Sequence, residues 1–482
     1  GGRPASVFGA ASPLTVLRGG RATAGRRWDT ALTAVPRLEG TYVAGDVEAD
    51  SPAGEIAGCT LCSGVRVRPG AGPLRRSLLQ HSVEVEAGCY VTNSVLMESC
   101  RVGPHAKIES TILGPDSAVA SGELAHCLLG EMCAAHHQSL LISVLAPLGR
   151  INVGYGANVG SNHTGRAADQ ECWSGEGLFW GLAVAVKFPV DFSGLPHSIV
   201  ASGARTEPGQ RPRLPFSLLA PGEGGVAVRP GWVLADSPYT LERNGRKYER
   251  RRTARRHADY TGYSIARPDM LDACLAAREG LRALPAMNAE GRRRLLGKNL
   301  LSEQDRRRGI AAYSDFLRRH ALRMLPDQLK GTEAGDVVAA LQAAPMAVIP
   351  EEEGPLRIPT MPWDDPRGAS EEAQWEHGRS ILRREYAEVL QKNDAPCHLL
   401  KELMALERRW AEGVRRAKAK DDFRGKKTVP EYAAWHVGAG EDPVVQAVER
   451  EAREMEARCE KLIERLGGYS EEEGAGVARS KL

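Results

Sequence analysis

Six short triplets recur along the first third of the chain: Thr60-Leu61-Cys62, Ser77-Leu78-Leu79, Ser94-Val95-Leu96, Thr111-Ile112-Leu113, Cys127-Leu128-Leu129 and Ser143-Val144-Leu145. Their spacings are 17, 17, 17, 16 and 16 residues. A second set, Val85, Val102 and Val119, keeps the same interval, and a third holds Val91, Ile108 and Ala125. Helical repeats need a unit of about 33 residues or more, and leucine-rich repeats about 20 to 29. Three strands of about six residues make a coil of the observed length. The repeat therefore predicts a parallel β-helix in which each coil buries β-branched or Leu side chains against the coils above and below. Gly103-Pro104 and Gly114-Pro115 supply corners. A sandwich of irregular strands shares those turn residues but has no reason to keep three registers in step.

At 482 residues the chain is long enough for more than one domain. Residues 1–38, with six Arg and only Asp29 acidic up to position 37, read as a flexible N-terminal arm or an organellar transit segment. Strand character resumes with Leu182, Val184, Val186 and Phe188, and PHSIV (196–200) is echoed by PFSLL (215–219), so the β-helix with an inserted polar loop is assigned to 39–235. CWSGEGLFWG, with Trp173, Phe179 and Trp180, packs either within its own chain or as a projecting loop on a neighbouring one. A basic connecting segment covers 236–266. The period then becomes helical, with Met270, Leu271, Cys274, Leu275 and Leu281 on one face, which gives a helical domain over 267–344. A Pro-rich linker (345–370), a helical bundle or coiled coil (371–467) and a tail (468–482) complete the order.

Charge narrows the partners. Lys and Arg total 64 against 61 Asp and Glu, which argues against a surface built for nucleic acid or anionic membrane. No apolar run reaches the length of a membrane span. Cys59-x-x-Cys62 is a lone pair without a second at zinc-site spacing, so the ten cysteines are expected to be reduced and mostly buried. Ser480-Lys481-Leu482 has the form of a peroxisomal address read by an import receptor, which predicts a peroxisome or glycosome-type organelle, with the cytoplasm as the alternative.

The hexapeptide character of VGPHAKI and ILGPDSAV resembles the left-handed parallel β-helix superfamily of acyltransferases and the β-helical domains of sugar nucleotidyltransferases. More narrowly, AAHHQSLLISVLAPLGRINVGYGANVGSNHTGR (134–166), followed by LPHSIVASG and LPFSLL, looks like an uncharacterised bacterial and protist family of hexapeptide-repeat proteins with a helical C-terminal extension. The resemblance covers residues 40 to 345 and implies a left-handed parallel β-helix followed by helical domains.

Candidate chemistry sits in GANVGSNHTGR (156–166). Asn158, Asn162 and His163 have no place in an apolar ladder, so they are expected at corners or in a groove. His136, read in register with Val119 and Val153, and His137 lie one to two coils upstream, at about 5 Å per coil. Imidazole can take a proton from a hydroxyl or amine, and Asn or turn amides can stabilise an oxyanion. Arg166 and Lys187 can hold phosphate or carboxylate. Adjacent strand residues face opposite ways, so His136 and His137 do not both ligate one ion, and no metal is expected. The bland alternatives are hydrogen-bonded turn histidines, a crowded glycine corner and solvated surface cations.

Two further features carry less. LRGGRATAGRR (17–27) resembles a phosphate loop, but no helix follows it and the chain before the repeats is too short for a nucleotide-binding fold. Arg243, Arg246, Lys247, Arg250, Arg251, Arg252, Arg255 and Arg256, with Tyr248 among them, form either an exposed face or a site for a phosphorylated ligand or acidic surface.

In the transferases that the chain resembles, the active site lies between β-helices of a trimer with His as general base. That analogy implies a homo-oligomer, a trimer first, moving an acyl group to a sugar or sugar-nucleotide acceptor. His136, His137 and His163 are the catalytic candidates; Asn158, Asn162, Arg166 and Lys187 are the substrate-binding ones; acyl-CoA is the candidate donor. The competing expectation is a non-catalytic scaffold or ligand-sensing assembly protein.

Overall fold

The structure, a computed structural model, describes residues 31–33, 37–43, 47–50, 55–160, 171–255, 265–285, 293–349 and 370–478. Its first part is a parallel β-solenoid of about nine coils. Each coil contributes one short strand to each of three parallel sheets, and every strand pairs with its counterparts in the coils before and after it. Pairing begins at Ala31–Thr33, which aligns with Glu48–Asp50.

Register explains the repeat. Val85, Val102 and Val119 stack as the sequence predicts, and the column continues through Ala135, Val153, Trp180 and Val200. Leu61, Leu79, Leu96, Leu113 and Leu129 form a second column, each at most 2% exposed. The third runs through Val91, Ile108 and Leu124, so Ala125 lies one residue off the predicted alignment and points outward. The outermost triplets are also displaced by one: Thr60 pairs with Leu78, and Leu128 with Leu145. Corner length varies between coils, whereas inward and outward positions alternate strictly within a strand. At about 1.5–3 kcal/mol for each fully buried aliphatic side chain, these columns dominate the stability of the coil stack.

The hydroxyl that opens three consecutive triplets has a structural duty. Ser77 Oγ donates to the Arg75 carbonyl and accepts the Ser94 N–H at 3.1 Å; Ser94 does the same for Thr111, and Thr111 for Cys127. Corners also need a left-handed residue. In one column that position passes from Ser82 through Ser99, Asp116, Met132 and Arg150, all with φ between 52° and 61°. Trp173 lies on the strand Cys172–Ser174, while Trp180 is fully buried and stacks on Phe192 at 5.6 Å. CWSGEGLFWG therefore forms part of the coils and is not a projecting loop.

The last coil ends in an antiparallel hairpin, Leu218–Gly222 with Gly225–Arg229. Asn299–Ser302 adds to it, and Arg293–Leu296 closes the sheet as a further antiparallel strand. The chain divides into two units. The first runs through Arg229 and includes Tyr248–Asp259 and Ala289–Ser302; the second holds the remainder.

Helices follow the solenoid: α1 (Trp232–Asp236), α2 (Pro238–Arg251), α3 (Pro268–Ala283), α4 (Glu303–Arg323), α5 (Leu325–Gly331), α6 (Ala334–Ala343), α7 (Glu371–Tyr386), α8 (Ala395–Thr428), α9 (Tyr432–Trp435) and α10 (Pro443–Ala478). In the second unit, α8 and α10 pack antiparallel through Ala411, Val414, Val445, Val448 and Ala452. The crossed pairs Arg415–Glu449 and Arg408–Glu456 mark that orientation. Around α4, Glu385 joins Arg278 and Arg318, and Glu407 joins Arg319 and Arg323. Among the described residues, no helix is long and apolar enough to cross a membrane.

Candidate active site

His136 and His137 turn the corner between the strands Ala134–Ala135 and Leu140–Ile142, and both are exposed. Ala135, not His136, shares the register of Val119 and Val153. The alternation of strand side chains therefore takes Ala135 into the core and leaves His136 facing solvent. The corner Gly154-Tyr155-Gly156 stacks on this one, with the Gly156 N–H donating to the His137 carbonyl at 3.3 Å. Gly181-Leu182-Ala183 stacks in turn, with the Ala183 N–H on the Tyr155 carbonyl at 2.9 Å. His137, Tyr155 and Leu182 thus form one column of corner tips, in which Tyr155 is 53% and Leu182 51% exposed. An imidazole in line with two open apolar groups makes a surface along which a ligand can lie.

Asn158 opens the next strand, aligned with Leu140 and Ala185. Its Oδ1 is shielded from solvent and has no hydrogen-bond partner among the described residues, and the same holds for Asn152. Asn158 itself is half-buried on the sheet face that follows the histidine corner, opposite Leu140. Lys187 stands at the other end of this sheet face, in line with Gly160, and its ammonium pairs with Glu207 at 2.7 Å. Arg205 continues the Asn158 column beyond Ala185 and is exposed. The sequence reading missed Arg205, which only the register of paired strands could have revealed.

Asn162, His163 and Arg166 lie outside the described residues, as do 17–27 and Ser480-Lys481-Leu482. Gly160, the exit from the paired strand, is the last described residue before 161–170, and pairing runs again at Cys172, opposite Val144. Gly160 has φ +94°, and a Cβ there would stand 2.0 Å from the Ile142 carbonyl oxygen and 2.5 Å from Phe188 Cζ, so the exit is built for glycine. By register, His136 and His137 precede Leu140, which aligns with Asn158 in the next coil, and Lys187 lies two residues past Ala185, which aligns with Asn158 in the coil after that.

A second polar column follows another corner. Arg150, 2% exposed, donates to Glu131 at 3.2 Å and Glu176 at 2.5 Å, and the His197 ring stacks on Phe216 at 5.6 Å. The segment Tyr248–Arg255 docks along this column. The Tyr248 hydroxyl donates to the Arg150 carbonyl at 3.2 Å, and burial pushes its phenol up to about 12. Thr253 and Ala254 N–H groups reach the Asp116 carboxylate at 3.1 and 3.0 Å, the Thr253 hydroxyl reaches it at 2.5 Å, and the Arg255 N–H reaches Glu98 at 3.2 Å. This part of the basic cluster meets an acidic surface within its own unit, while Arg246 pairs with Glu451 at 2.7 Å in the other.

Buried thiols occur in the coils and, at Cys274 and Cys459, in the helices. Eight of the ten cysteines are buried, and desolvation pushes Cys127 and Cys133 up to about 12. Among the described residues, no group of three or more His, Cys, Asp or Glu is placed to hold a metal ion.

Residues 46–124 match the family model described as GlmU-like, C-terminal hexapeptide. The solenoid is a hexapeptide-repeat β-helix. The match suggests the acyl- and nucleotidyl-transferase superfamily. No curated protein matches the chain. The hexapeptide likeness ends before the His136 corner, so the site rests on its own geometry.

Proposed function

We propose that the hexapeptide solenoid is an acyltransferase acting on a sugar or sugar-nucleotide acceptor, with the His136-His137 corner supplying the general base. The observation that carries this reading is the stacking of that exposed corner on those of Tyr155 and Leu182, whose side chains are half open to solvent. An acceptor hydroxyl or amine held at this corner loses its proton to imidazole as it attacks the acyl carbonyl, and the proton then passes to the departing thiolate, with Asn158 orienting the acceptor through the part of its amide that stays open. The apolar tips of Tyr155 and Leu182 suit the tail of an acyl-CoA donor, and Arg205 suits an anionic acceptor. His163, Asn162 and Arg166 would join the site from the segment inserted after Gly160, and Lys187 borders that exit. Assembly as a trimer, and delivery to a peroxisome or glycosome through Ser480-Lys481-Leu482, belong to the same reading.

Thermal-shift screening with acyl-CoA and sugar nucleotides, followed by turnover assays of His136→Ala and His137→Ala, tests it. Stabilisation by a donor, lost activity in at least one variant and unchanged melting in both are expected. Full turnover in both variants overturns the assignment of the base. The scaffold reading predicts no stabilisation by any of these ligands.

A further inference from the structure

We propose that Thr253 is a phosphoacceptor for an arginine-directed protein kinase, and that its phosphorylation releases the Thr253–Arg255 segment from the acidic corner of the solenoid. Three observations converge. Thr253 is exposed and lies in non-helical backbone just beyond the end of α2 at Arg251, so a kinase cleft can take it as extended chain whenever its bonds to Asp116 open. Arg250, Arg251 and Arg252 precede it and Arg255 follows, a charge pattern complementary to an acidic substrate cleft. The third observation gives the modification a consequence. The Thr253 hydroxyl and N–H both bond to Asp116, and the Arg255 N–H bonds to Glu98.

In the transfer, Thr253 Oγ1 bonds to the γ-phosphorus of ATP as the bond to ADP breaks, ADP leaves, and the hydroxyl proton passes to the base of the kinase. The product carries a charge of about −1.5 to −2 where a neutral hydroxyl had faced a carboxylate. Docking on Asp116 and carrying phosphate thus exclude each other.

The full-length chain, incubated with the catalytic subunit of an arginine-directed kinase and ATP, is expected to take phosphate at Thr253, located by mass spectrometry. Amide hydrogen exchange at Thr253, Ala254 and Arg255 should then quicken by more than tenfold. Thr253→Val should lose the phosphate and keep its protection, while Asp116→Ala should lose protection without any kinase. The proposal is overturned if only heat-unfolded chain accepts phosphate at Thr253, if the phosphorylated chain keeps its protection, or if Asp116→Ala does.

Discussion

The guanidinium of Arg150 donates to the carboxylate of Glu176 at 2.5 Å with both side chains almost out of solvent, and the same group reaches Glu131 at 3.2 Å. One cation therefore serves carboxylates from the coils on either side of it. Arg150→Met should remove the buried cation shared by both and lower stability by about 3–5 kcal/mol. Arg150→Lys should lose less, because an ammonium keeps the charge without the fork. Urea unfolding of the two variants checks the order.

The hydroxyl column makes a second test. Ser94 Oγ donates to the Thr92 carbonyl at 2.6 Å and accepts the Thr111 N–H at 3.1 Å, all in the interior. Ser94→Ala leaves the buried Thr111 N–H unsatisfied, while the Thr92 carbonyl keeps the Ser110 N–H at 3.0 Å, and should cost about 1–3 kcal/mol. Ser94→Thr, which repeats the residue one coil later, should stay within about 0.5 kcal/mol of the parent. Thermal unfolding distinguishes them.

Two glycines of like backbone should behave differently. Gly156 has φ +64° and open space where a methyl group would stand, so Gly156→Ala should cost only the left-handed strain, about 1–2 kcal/mol. Gly160→Ala adds a collision with the Ile142 carbonyl and Phe188, and should lose clearly more. Equal denaturation midpoints would contradict the close approach at the exit.

Acid should weaken the helical unit. Burial acts to raise the Glu385 carboxyl, but hydrogen bonds and charge from Arg278 and Arg318 overcome it and hold the group below its ordinary 4.5. A carboxyl lowered by folding adds stability above its unfolded pKa and loses it as pH falls through the folded value. Helix content should therefore become easier to unfold with urea below about pH 4.5. Glu385→Gln should flatten that acid dependence while lowering stability at neutral pH.

Much of the solenoid was legible because a two-residue alternation repeated in three registers admits few folds. Val85, Val102 and Val119 locate one sheet without further help. Thr60, Ala125 and Ser143 misled by one residue, since corners of unequal length slide similar letters past one another. The strand pair Arg293–Leu296 and Asn299–Ser302 was hidden in a helical stretch, where short apolar runs fit either period. His136, His137 and Asn158 were found as outward polar residues in an apolar repeat. Arg205 and the docking of Thr253 were not, because an isolated cation and a basic run look like ordinary solvated charge until a register or a facing carboxylate gives them a place.

Val144 pairs with Cys172 as closely as its neighbours pair one coil apart, although the chain between them is much longer. Since the rungs are tied to one another across the stack and not along the thread, extra chain at Gly160 disturbs no tie. That exit is a splice point: its contents can be exchanged or lengthened, by mutation or by design, while the prism that presents them stays intact.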